Sequence, residues 1–331
     1  LLGYGDRPYS LQEQGVLPAA LNSVMVYSVN LFVMISGWFG IHGMVKAALR
    51  VLIDTAVYGA VACAAVMCLV THDFEWGALL PAIEIHKWWF VYAYLFLVLF
   101  SPLLEAALRP VPGATPRGRI GQAARMAAAL AVVNVFFGWY ANLTLMDGYN
   151  VYVFHFLFLY CMARLMRMCV EVGYRVRRRW LLLVLAVSCS IITAGYVRDF
   201  GYRTTSVPAL VLIGWFAHNH PLGILNTLCI VGIFAQTRLR SAFVNKLAGT
   251  VFGVYLLHAS PYGTRPLRAL SEYMWGRLGY GGLLLATLAT FAVCAAVAYA
   301  IERAKARPIK CLFYVIDATT ARLAAVFTRL R

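Results

Sequence analysis

Apolar runs of membrane-spanning length, separated by short polar and basic loops, recur from one end of this chain to the other. A run of about 20 predominantly apolar residues is long enough to cross a bilayer as a helix. Nine such runs are predicted, at residues 20–45, 51–71, 87–104, 124–145, 148–168, 180–196, 220–236, 247–260 and 280–302. The predicted fold is therefore all-α, a polytopic transmembrane helix bundle of about nine spans. Residues 1–302 form one integral membrane domain and residues 303–331 a basic tail. One stretch breaks the pattern: Val207–Ala217 is apolar, His218-Asn219-His220-Pro221 interrupts, and Leu222–Ala235 is apolar again. A single span after Pro221 is predicted, with the earlier segment re-entrant or interfacial; a long helix broken at Pro221 is the rival. The tail mixes Leu312, Phe313, Val315, Ile316, Leu323, Val326 and Phe327 with Arg322, Arg329 and Arg331. It reads as an amphipathic helix lying on anionic lipid.

Composition agrees with the pattern. Of 331 residues, 62% are hydrophobic and 13% charged. A soluble domain carries about 25% charged residues. The net charge of +16 would suggest nucleic acid in a soluble protein. Here the basic residues sit in short loops, which the positive-inside rule explains, and no nucleic-acid partner is expected. The loops after the first, third, fifth and seventh spans, with the tail, hold 22 of the 29 Lys and Arg residues; the opposite side holds 7. The rich side is assigned to the cytoplasm, which puts the C-terminus inside and Leu1 outside. An external start with no signal peptide leads to the expectation of an upstream helix. The eight cysteines lie mostly in apolar helices, form no CxxC and read as small packing residues.

Signatures of soluble enzymes are absent: no GxGxxG after a strand, no Walker loop, no HExxH and no GxSxG. His218-x-His220 lacks nearby carboxylate or thiolate ligands, so a polar cap at a helix break is expected there, and no metal. The polar positions inside the first span carry more information. Asn30, Ser36, Gly37 and Gly40 interrupt it, and His42 follows. Polar groups at bilayer depth are costly unless they face a bundle interior, which marks this helix as part of a working site.

The block Val29-Asn30-Leu31-Phe32-Val33-Met34-Ile35-Ser36-Gly37-Trp38-Phe39-Gly40 resembles a signature of acyltransferase family 3, integral-membrane enzymes that modify cell-surface polysaccharides. Lys87-Trp88-Trp89-Phe90-Val91-Tyr92-Ala93-Tyr94, followed by Ser101-Pro102-Leu103-Leu104, resembles the family's Trp-Phe-x-x-x-Tyr helix ending in Ser-Pro. Gly253-Val254-Tyr255-Leu256-Leu257-His258-Ala259-Ser260-Pro261 resembles its Gly-x-Tyr-Leu-x-His segment. The three blocks stand in family order and span most of the chain. The resemblance implies about ten spanning helices in the complete fold and a bacterial inner (plasma) membrane location. It also implies transfer of an acyl group, usually acetyl, from cytoplasmic acyl-CoA to a sugar hydroxyl. The family's best-known catalytic histidine lies on a first helix that has no match here.

Such a reaction needs a base for the hydroxyl, donors for the oxyanion and cations for the coenzyme phosphates. His258, three residues after Tyr255, and His155, three after Tyr152, are the candidate bases, each with a structural role as its alternative. Ser36 is either a covalent acyl carrier or, with Gly37, a point of close helix approach. Asn30 either donates to an oxyanion or bridges helices. Lys46 and Arg50, four apart at the end of the Ser-Gly helix, and Arg164 and Arg167, three apart, are candidates for the coenzyme phosphates. Positive-inside bias alone would also place them there. His155 and Arg164, nine residues apart, fall on opposite helix faces. His42 could stand by the coenzyme entrance, and His72 and His86 flank an external loop. Lys87, Trp88 and Trp89 read as an interfacial anchor. Asp147 and Arg198-Asp199 are external polar groups that could bind an acceptor.

The expected partners are acyl-CoA, a glycan or lipid-linked sugar acceptor, and membrane lipids. A transporter or flippase for a lipid-linked glycan precursor is the alternative. Transporters often pair broken helices in matching halves. This chain shows one break and no partner for it, which favours the enzyme.

Overall fold

The computed structural model describes residues 16–72, 75–78, 88–109, 115–140, 150–201, 215, 217–237, 240–260 and 262–329. The described secondary structure is helical, with no strand among the described residues. The helices are α1 (Val16–Met25), α2 (Ser28–Phe39), α3 (Met44–Val66), α4 (Trp89–Ala107), α5 (Pro116–Ala131) and α6 (Asn150–Glu171). They continue with α7 (Arg178–Gly201), α8 (Pro221–Ala235), α9 (Ala242–Ala248), α10 (Val251–His258) and α11 (Thr264–Arg329). Among the described residues six segments are long and apolar enough to cross a membrane: Ala19–Phe39, Met44–Thr71, Trp89–Ala107, Tyr152–Glu171, Arg178–Arg198 and Pro266–Thr320. With these the polytopic all-α class is established.

Several predicted boundaries shift. The span predicted at 20–45 bends at Tyr27 and ends at Phe39. Gly40 and Gly43 adopt positive-φ backbone conformations (φ +79° and +67°) between the end of α2 and the start of α3. Lys46 and Arg50 therefore open α3 instead of closing the Ser-Gly helix. In α4, Pro102 lacks the N–H that would reach Val98 O, and the Ser101 hydroxyl donates to that carbonyl instead at 2.8 Å. Helix α5 continues as a π-helix over Val132–Tyr140. The span predicted at 247–260 contains only the eight-residue helix α10. Helix α11 runs without a stop through the predicted boundary at 302/303, with one non-helical residue at Gly279. The residues after 303 thus continue α11 up to Arg329.

The chain forms two compact units: Leu1–Met44 with Ala93–Leu239, and Val45–Tyr92 with Arg240–Arg331. In the first unit, α2 and α6 run parallel: Asn30 meets His155, Gly37 lies on Tyr160 and Trp38 O meets Arg167. A Cβ on Gly37 would come within 2.7 Å of Tyr160 O, so only glycine permits this approach. Helix α8 runs antiparallel to α7: Asn226 bonds Ser188, Gly232 faces Leu181 and Gln236 bonds Val176 O. Trp215 lies against Gly195 near the end of α7, and His220 caps α8 through Nδ1, which accepts from Leu222 N at 3.2 Å. The start of α8 therefore lies beside the end of α7; α8, at 15 residues, is a shorter apolar helix than the candidate spans. Most of the predicted re-entrant segment (207–214 and 216), like Lys87, His86 and Asp147, lies outside the described residues.

In the second unit, α3 lies antiparallel to the far part of α11. Tyr58 meets Ala298 O and Glu302, Asp54 meets Lys305, and Lys46 meets Asp317. Tyr255 of α10 packs edge-on against Phe90 and Trp88, with ring centroids 5.0 and 6.3 Å away.

Candidate active site

The predicted residues divide between the units. Ser36, His155, Arg164 and Arg167 belong to the first, and Lys46, Arg50 and His258 to the second.

In the first unit three buried polar residues form a chain. His155 Nε2 lies 2.9 Å from Asn30 Oδ1, and its Nδ1 lies 3.1 Å from Asn134 Oδ1. Asn30 Nδ2 donates to His218 O at 2.9 Å. All three side chains are essentially inaccessible to solvent (His155 and Asn30 at 0%, Asn134 at 1%). The carbonyl of His218 can only accept, so it fixes the Asn30 amide with its oxygen toward the ring. Nε2 of a neutral His155 is then the donor and Nδ1 the acceptor. Turning the Asn134 amide by half a turn lets its NH₂ serve Nδ1, and removes the buried, unbonded Nδ2 of the untwisted arrangement. Both ring nitrogens of His155 are therefore engaged, and Asn30 bridges helices. Asn134, in the π-helix, escaped the sequence reading because nothing local marks its partner.

The Ser36 hydroxyl donates to Phe32 O at 3.1 Å and lies 2.9 Å from the Tyr94 hydroxyl. With its own proton on the backbone, Ser36 accepts from Tyr94. At the C-terminal ends of these helices the candidate cations meet acceptors. Arg164 Nη2 pairs with Glu105 Oε2 at 2.9 Å, and Tyr160 donates to Glu105 Oε1 at 2.6 Å. The Tyr160 oxygen accepts from Ile41 N at 3.2 Å, which ties the turn after α2 to the same cluster. Arg167 donates to Trp38 O at 2.6 Å and to Glu171 at 2.9 Å. A cation at the carbonyl end of a helix is favoured by the helix dipole. Arg164 Nη1, on the side away from Glu105, lies toward Gly40, 3.8 Å from where a Cβ there would stand. Glu105, one residue past the Ser-Pro block, was legible as an acid beside a motif but had no visible partner.

His218 and His220 sit in the turn before α8, beside the rings of Tyr152 and Trp215. Burial pushes both down to about 4, with a backbone bond involving Val26 partly opposing this at His218.

In the second unit, His258 ends α10. Its Nδ1 lies 2.7 Å from Val254 O, so Nδ1 carries the proton and Nε2 the lone pair. Among the described residues no hydrogen bond engages that Nε2. Gly253, which opens the same motif, admits Tyr58: a Cβ there would lie 2.4 Å from the Tyr58 hydroxyl. Tyr58 donates to Glu302 Oε1 at 2.9 Å, and Lys305 bridges Glu302 Oε1 and Asp54 Oδ1 at 2.5 Å each. Arg50 faces Glu302 Oε2 at 3.6 Å, and Lys46 pairs with Asp317 at 2.6 Å. Asp54, a lone acid in an apolar run, was the sequence signal for this cluster.

Residues 1–303 match the family model described as an acyltransferase domain. No curated protein and no solved structure matches the chain significantly. The match covers all but the end of α11 and includes every block that carries the resemblance. The chain belongs to acyltransferase family 3 and is a membrane acyltransferase.

Proposed function

We propose that this membrane acyltransferase moves an acyl group, acetyl foremost, from cytoplasmic acyl-CoA to a hydroxyl of a cell-surface glycan or its lipid-linked precursor. The observation that carries this reading is the contrast between two histidines. His155 has both nitrogens engaged and is sealed from solvent, whereas His258 holds Nδ1–H on a backbone carbonyl and has no hydrogen bond to Nε2 among the described residues. A neutral imidazole in that tautomer suits proton removal from an alcohol.

In this reading Nε2 of His258 takes the proton of the acceptor hydroxyl. The oxygen attacks the thioester carbonyl, the C–S bond breaks, and the thiolate of coenzyme A recovers the proton. Ser36 lies beside the acyl path as a packing residue that shares its hydroxyl with Tyr94, and needs no covalent role. Arg164 and Arg167 in the first unit, and Arg50 and Lys46 in the second, are each candidates for the donor's phosphates; each stands beside a carboxylate that holds it in place and that a phosphate can replace. The charge asymmetry between loops supports an inner-membrane protein with its C-terminus in the cytoplasm. The glycan acceptor rests on the family resemblance, and no metal takes part in the scheme.

The test uses the full chain in lipid with acetyl-CoA. Thioester loss is followed with and without candidate glycans, and ester formation on the glycan is read by mass spectrometry. Glycan-dependent loss supports the reading. A protein that binds no coenzyme A under any condition rejects it.

A further inference from the structure

The chain continues past the family-matched region as an unbroken helix, and its first residues beyond residue 303 are not idle. Lys305 is 8% exposed and Asp54 5%. A buried ion pair is costly to assemble, and removing one partner strands the other. The pair therefore calls for a reason beyond stability, and its neighbours supply one.

Asp54 stands four residues after Arg50 on the same face of α3, within reach of its guanidinium. Arg50 is more than half exposed (57%) and faces Glu302 only through the far oxygen, Oε2, at 3.6 Å. The near oxygen, Oε1, is taken by Lys305 and Tyr58. Lys305 thus engages the Asp54 carboxylate and one oxygen of Glu302 at once. Two acids and two bases balance, yet one base is held inside and the other is left outside.

We propose that Lys305 is a positioning residue for donor binding: by satisfying Asp54 it keeps Arg50 turned outward for a phosphate group of acyl-CoA. Without Lys305, Asp54 draws Arg50 into a pair along its own helix. The inference rests on the reading of Arg50 as a phosphate ligand, and it makes the helix beyond residue 303 part of the donor site's support. Lys305 itself is too deeply buried to touch the donor.

The test measures binding of coenzyme A itself to the full chain in nanodiscs by calorimetry at fixed ionic strength. Lys305→Met is expected to weaken binding at least tenfold, and Lys305→Arg to restore most of it. On an Asp54→Asn background the carboxylate that competes for Arg50 along its own helix is gone, and only the Glu302 contact remains. There the proposal expects Lys305→Met to change affinity less than twofold, whereas a merely structural or direct role for Lys305 gives the same loss on both backgrounds. If Lys305→Met does not fold, Lys305→Gln, whose neutral amide leaves the Asp54 charge without a cation other than Arg50, replaces it with the same expectations. Arg50→Gln separates the two layers. If it binds coenzyme A like the parent, the phosphate reading of Arg50 falls and this proposal with it. If it weakens binding while Lys305→Met does not, the proposal alone is overturned.

Discussion

The Tyr58 hydroxyl occupies the space that a Cβ on Gly253 would need, 2.4 Å from where that atom would stand. The contact explains why the motif that ends in His258 begins with glycine. Gly253→Ala overpacks this site, and such changes cost about 1–3 kcal/mol. The shorter Tyr58→Leu side chain relieves the crowding. A double-mutant cycle read by thermal unfolding is expected to show coupling of about 1 kcal/mol or more, with the double variant more stable than the sum of the singles. Strict additivity would remove the contact.

His155 and His258 respond differently to replacement. His155→Leu leaves the amides of Asn30 and Asn134 buried without their partner, at about 1–3 kcal/mol for each group. The expected outcome is a clear fall in the unfolding temperature. His258→Leu loses one bond to its own helix and is expected to unfold close to the parent temperature. Equal destabilisation by the two variants would contradict the division of roles.

Arg164 and Arg167 belong to the donor side of the scheme. Each replacement by Gln is expected to raise the KM for acetyl-CoA about tenfold, equivalent to ~1.4 kcal/mol, with a smaller change in kcat. Steady-state kinetics at two salt concentrations check this, because the parent's KM should rise with salt more steeply than either variant's. Unchanged KM values would return both arginines to plain positive-inside residues.

The turn before α8 makes stability depend on pH. His218 and His220 titrate near 4 when folded and near 6.5 when unfolded. Between those values the unfolded chain binds more protons, so stability is full above about pH 6.5 and falls as pH drops toward 4. The unfolding temperature in detergent is expected to fall between pH 7 and pH 5. His220→Asn keeps a side chain suited to the N-cap and should flatten part of that fall. An identical slope in this variant would exclude His220 as a contributor.

The helices were legible because spanning runs are long and apolar, and that signal needs no partner. Their ends were less so. Hydropathy is continuous from Ala20 to Met44, and the break between α2 and α3 falls at the positive-φ backbone of Gly40 and Gly43, which hydropathy does not report. The i, i+4 relation of Lys46 and Arg50 was read correctly, but on the wrong helix. The helix-bridging alternative for Asn30 was visible as a polar residue at depth. Its partners were not, because His155 and His218 are brought to it by other segments, with Asn134 behind His155. Glu105, Asp54 and Lys305 show the same limit: each looks like an isolated charge until the helix that neutralises it is in place.

The central claim is that His258 is the base that moves an acyl group from acyl-CoA to a glycan hydroxyl. The most direct measurement compares glycan-dependent acetyl transfer by the full chain and by His258→Ala, in the same lipid and at saturating acetyl-CoA. The account predicts that kcat falls about 10²–10⁴-fold while coenzyme A binding stays within twofold. A variant that transfers acetyl at the parent rate would contradict it.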